Sequence, residues 1–198
     1  TAFSTAYSRL LLMVKGGIIG KVVSVDATCT SLRKIEADSA TYLSETWNSI
    51  CAWGPTAMLP VFQVFGTDYK IKQIVTSYAD DRKTFDIFTK ISFVYNNAVA
   101  TIKVGKGVKS EGELIISGTK GYIYVPAPWW KTEYYEVRYE DKNQDKRYFY
   151  QLEGEGIRYE IVAFLQSIES GFTINEISHE ISSNICSIIE SFEEKEDL

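Results

Sequence analysis

The chain has 198 residues, 45% hydrophobic and 24% charged, with a formal net charge of −5. This size allows one domain with a substantial core, and the lack of a Lys/Arg cluster or of ~20 consecutive apolar residues excludes a nucleic-acid surface and a membrane-spanning helix. Three scattered cysteines and a single histidine make neither a disulfide framework nor a zinc set, so the composition predicts a reducing, cytoplasmic setting without a metal.

The spacing of Phe3, Ala6, Tyr7, Leu10, Leu11 and Val14 predicts a helix over 3–15 that stops at Gly16-Gly17. From Lys21 to Thr30 the pattern alternates, with Val23, Val25, Ala27 and Cys29 on one side, as in a half-buried strand. Residues 33–46 are polar and irregular. Pro55 and Gly66 then bracket a helix over 55–65, with Met58, Val61, Phe62 and Phe65 as its buried stripe. Alternation over 70–79, 85–95 and 98–104, with Asn96-Asn97 as a tight turn, predicts three strands. Further strands are expected over 112–117, 121–125, 133–139 and 146–152. Two helices close the chain. Ile157, Ile161, Phe164, Leu165 and Ile168 line the first; Ile177, Ile181, Ile185, Ile188, Ile189 and Phe192 line the second.

Helices do not alternate with strands, so a doubly wound parallel sheet is excluded. The order predicts an α+β fold: a large, open, mostly antiparallel mixed sheet with helices packed on one face. No linker divides the chain, so residues 1–198 form a single domain. The first residues do not read as a signal peptide, and the chain reads as one entered in mid-protein.

Motifs for chemistry are sparse. Gly154-Glu155-Gly156 lacks the third glycine of a dinucleotide turn, and no helical pattern follows Gly105-Lys106-Gly107. Asp80-Asp81, beside Arg82 and Lys83, reads as a polar turn. His179 is an acid–base residue by type but falls on the polar side of the last helix. The run 193–197 reads as a solvated helix end. Trp129 and Trp130 are adjacent and cannot share one face of a strand. One therefore packs, and the other is placed to rim a sugar-sized cleft or to sit at a sheet edge or oligomer contact.

Three stretches in order resemble the glucose–fructose oxidoreductase, inositol dehydrogenase and rhizopine-catabolism (Gfo/Idh/MocA) family. Gly17-Ile18-Ile19-Gly20-Lys21-Val22 resembles its entry into the first strand of the C-terminal domain. Gly118-Thr119-Lys120-Gly121, with Val125-Pro126 and Trp129-Trp130, resembles its G-T-x-G hairpin. Glu155-Gly156-Ile157-Arg158-Tyr159-Glu160, with Phe164 and Gly171, resembles its G-F-x-x-E-x-x-x-F helix. The resemblance implies a dihydrodipicolinate-reductase-like C-terminal domain that supplies the substrate side and the oligomer interface. NAD or NADP and a catalytic lysine would then belong to an N-terminal Rossmann domain outside this chain, and no cofactor site is expected within it.

The same resemblance implies a departure in chemistry. The family's Asp, His and second Asp positions fall on Ala52, Thr56 and Leu59, with Gly54 and Gly66 as the matching glycines. Threonine does not titrate near neutrality and alanine is apolar, so no catalytic residue is expected here. Trp47, Asn48, Thr56 and Trp129 are the expected substrate-binding residues. Two functions follow. The chain is the substrate-side and oligomerisation domain of an NAD(P)-dependent oxidoreductase on a sugar or polyol, inactive alone. The alternative is a catalytically degenerate, non-redox sugar-binding or assembly module. An open sheet face also predicts a homo-oligomer.

Overall fold

Alternation along the chain becomes register in the sheet. In the computed structural model, which describes residues 2–32, 48–79, 81, 83, 85–151, 154, 156–171 and 177–194, the strands are β1 (Val22–Thr30), β2 (Ile71–Tyr78), β3 (Asp86–Val94), β4 (Val99–Gly105), β5 (Leu114–Gly118), β6 (Tyr122–Val125), β7 (Tyr134–Arg138) and β8 (Lys146–Phe149). They form one sheet in the order β2-β3-β4-β1-β5-β6-β7-β8. β1 runs parallel to β4, and every other pair is antiparallel. The helices are α1 (Thr5–Lys15), α2 (Ser49–Phe65), α3 (Ile157–Ser170) and α4 (His179–Glu193). The fold is the expected α+β arrangement.

The inward side chains of the central strands make the core. Val25, Ala27 and Cys29 of β1 and Ile102 and Val104 of β4 are buried beneath α2, and Leu114 and Ile116 of β5 are buried in the same core. α1 packs on β7 and α2 and buries Tyr7, Leu10 and Val14, and α4 packs on α2 and buries Ile185, Ile188 and Phe192. Lys72 Nζ of β2 reaches Ser191 Oγ of α4 at 3.3 Å, which ties that helix to the sheet edge. Ser24, Asp26, Thr101, Lys103, Tyr122, Tyr124, Glu136 and Arg138 alternate with the core residues and so lie on the opposite face.

Three expectations need correction. α2 begins six residues before Pro55, at Ser49, and runs through both Pro55 and Pro60. An interior proline costs about 3 kcal/mol of helix stability. Tertiary anchoring offsets it. The Asp86 carboxylate accepts from Ser49 N at 2.8 Å and Ile50 N at 3.2 Å, and Asn48 Oδ1 caps Cys51 N at 3.0 Å. Secondly, the stripe of α3 is not core. Ile157, Ile161, Phe164, Leu165 and Ile168 are each 51–66% exposed, and α3 buries no residue. Helical spacing marks an amphipathic helix but not the partner its apolar side meets. Thirdly, Trp129 is 0% exposed and donates from Nε1 to Thr28 O at 3.1 Å. It is a core residue, not a pocket wall.

Candidate functional site

The positions that the family resemblance assigns to chemistry lie on one side of α2. Residues 52, 56 and 59 are separated by four and three, which stacks them on a single helix face. That face looks away from the sheet. There α2, α3, α4 and the chain start border an open pocket of about 350 Å³, lined by Pro55, Thr56 and Leu59 of α2, by Ser182, Ile185, Cys186 and Ile189 of α4, and by Ala2, Glu160 and Ile177. This volume lies at the small end of ligand pockets.

The walls are apolar, and the polar groups are few. Thr56 and Ser182 bring hydroxyls, Glu160 a carboxylate and Cys186 a thiol. Hydroxyls and a carboxylate both accept hydrogen bonds from a polyol, and the hydroxyls also donate. Thr56 and Leu59 both line this pocket. Ala52 is not among the lining residues. Glu160, Ser182 and Cys186 were invisible as site residues, because more than a hundred positions separate them from Thr56 and only tertiary packing, for Ser182 and Cys186 that of α4 on α2, joins them.

The remaining expected residues go elsewhere. Asn48 caps α2, and its Nδ2 donates to Glu193 Oε1 at 2.5 Å, so both ends of the amide are engaged. Trp47 falls outside the described residues. Trp130, not Trp129, is the partly exposed member of the pair. It packs on Trp53 at 4.9 Å between ring centroids, and Trp53 Nε1 donates to Ser31 Oγ at 3.1 Å. His179 is exposed at the first turn of α4, beside Ser183 at 3.2 Å.

Two perturbed groups near α2 belong to scaffold, not to the pocket. Burial raises the Asp86 carboxyl to about 6, against hydrogen bonds from Thr89, Ser49 and Ile50. A shifted carboxyl often marks catalysis, but these donors belong to the α2 start and to β3, and Asp86 does not line the cavity. Burial, followed by the charge of Glu193, pushes the Cys51 thiol up to about 12. A thiol so raised is a poor nucleophile. Among the described residues, no group of three metal-ligating side chains comes together, and no helix is long and apolar enough to cross a membrane.

No protein-family model and no curated protein matches the sequence. Solved structures do match the fold. KijD10, a 3-ketoreductase from Actinomadura kijaniata in complex with NADP and TDP-benzene, superposes with a TM-score of 0.76 at 16% identity, over 96% of this chain and 59% of that one. The protein yvaA of Bacillus subtilis, held to be an oxidoreductase, gives 0.71 at 13% identity over 96% and 60%. Another, yhhX, gives 0.66 at 16% identity over 97% and 61%. At these identities the likeness is one of fold. The chain spans about three fifths of the length of these oxidoreductases.

Proposed function

We propose that this chain is the substrate-side half of an NAD(P)-dependent oxidoreductase acting on a sugar or polyol. The nucleotide and the lysine acid–base group belong to a Rossmann domain outside residues 1–198, and the chain alone does not turn over. The observation that carries this reading is the fold match, which takes in nearly all of this chain but only part of oxidoreductases such as the NADP complex of KijD10. The cavity supports it. Thr56 and Leu59, at the positions the resemblance assigns to substrate, line a pocket with two hydroxyls and a carboxylate. In such an enzyme this half binds and orients the hydroxyl-bearing substrate, and its apolar walls exclude water.

Self-association through the open sheet face belongs to the same reading. Phe149, Ile71, Val75 and Val99 are each more than half exposed there. The three cysteines are unpaired, in keeping with a cytoplasmic protein.

Titration of the full-length protein with NADPH, followed by nucleotide fluorescence, tests the reading. Saturable binding is expected, and absence of binding overturns it. The second reading, a non-redox sugar-binding module, is favoured by one observation: the cavity holds no imidazole, and Thr56 stands where the family has its histidine. Ligand binding without NADPH binding decides for that module.

A further inference from the structure

The pocket beside Thr56 is surrounded by charge of one sign. Among its described lining residues Glu160 brings the one formal charge, and the others are hydroxyl, thiol or apolar. Glu160 is exposed, and no hydrogen bond or ion pair holds its carboxylate among the described residues. The bordering helices add to the same sign. α2 has no charged residue. α3 sets Arg158 against Glu160 and Glu169, and α4 carries Glu180, Glu190 and Glu193 without a lysine or arginine. With His179 neutral, the three helices contribute a formal charge of −4 (five glutamates against one arginine), beside −5 for the whole chain. A cleft lined by one sign over apolar, low-dielectric walls focuses its field on whatever enters.

We propose that this pocket selects amino-bearing and neutral hydroxyl groups and rejects carboxylate and phosphate groups, with Glu160 as the residue that sets the choice; this rests on the reading above that the pocket is the substrate site. The hydroxyls of Thr56 and Ser182 serve any polyol, since each both donates and accepts. They do not tell a neutral group from a charged one. A carboxylate does, because it accepts from hydroxyl or ammonium groups and has no donor for an anion. Even in water, one charge ~8 Å away separates a cation from an anion by roughly fivefold. Glu160 also lies in the first turn of α3, where its charge suits the helix dipole. Loss of that role would weaken every ligand alike, so discrimination between ligands, not affinity, is the diagnostic quantity.

Cys186 supplies a probe, because it is exposed and lines the same pocket. In the full-length protein at low salt, its reaction with a cationic (trimethylammonioethyl) and an anionic (sulfonatoethyl) methanethiosulfonate is followed, each rate normalised to a small neutral thiol. Rates in Cys186→Ser are subtracted to remove the other two cysteines. The cationic reagent should be favoured by at least about fivefold. Glu160→Gln should remove most of that preference, Glu160→Lys should reverse it, and about 0.5 M salt should suppress it. Equilibrium titration should rank D-glucosamine above D-glucose and D-glucose above D-glucuronate, with the spread narrowed by Glu160→Gln. A reagent preference indifferent to Glu160, glucuronate bound as tightly as glucose, or binding of none of the three overturns the proposal. NADPH titration of the unsubstituted protein separates the two claims. Intact NADPH binding without this sugar order defeats the selection alone, whereas the sugar order without NADPH binding defeats the redox reading alone.

Discussion

Asp86 holds the start of α2 in place. Its two oxygens take Ser49 N, Ile50 N and Thr89 Oγ1, the last at 2.6 Å, all away from water. Asp86→Ala strands these buried donors and is expected to cost about 2–4 kcal/mol by urea denaturation. Its pH dependence has a definite sign. The folded value of about 6 lies above the ordinary 3.8, so between these limits the folded state binds more protons than the unfolded. Stability from this group is full below pH ~4 and is lost as pH rises through ~6. The wild type should therefore gain on Asp86→Asn as pH falls from 7 to 4, measured as the difference between their unfolding free energies. In the pocket, Thr56→Phe places a ring in a cavity of about 350 Å³. Binding of whichever of inositol, glucose or TDP-glucose the wild type takes should weaken by roughly tenfold or more.

At the scale of elements, packing overrode local preference in α2. α2 carries two prolines and still runs through them, since its first turn is fixed by Asp86 of β3 and its inner side is buried by Ile50, Ala57, Met58 and Val61. Pro55 therefore marked a helix correctly but not its beginning. α3 was recognisable as a helix from its spacing, yet nothing in that spacing distinguishes a stripe covered by this chain from one left open. The β5–β6 hairpin was readable from Gly118-Thr119-Lys120-Gly121, though for another reason than turn conformation. A Cβ on Gly118 would stand 2.2 Å from the backbone oxygen of Ile19. Gly118→Ala must push that strand entry aside, and overpacking of this kind costs about 1–3 kcal/mol. Thermal unfolding of the variant should show a clear loss in melting temperature.

For the molecule as a whole, the sheet leaves one face without helices among the described residues. Its β6–β8 end is aromatic and charged. Arg138 lies over the Tyr124 ring at 4.7 Å, Arg147 over Tyr134 at 5.3 Å, and Glu136 bridges both arginines. Aromatic residues and arginine are the side chains enriched at interfaces. If copies join through this face, Tyr134→Asp/Phe149→Asp should lower the sedimentation mass of the chain while leaving its circular dichroism unchanged. A mass that is already monomeric before substitution removes the face as an interface.

The sequence by itself determined the main element types and the fold class. Period-two and period-three-point-six spacing are local, so they can be read along the chain. Only the tertiary structure decided which tryptophan is core, that Asn48 is a cap, and that Glu160 and Ser182 meet Thr56. Those facts depend on contacts between residues far apart in the chain, and a linear pattern carries no record of which faces come together.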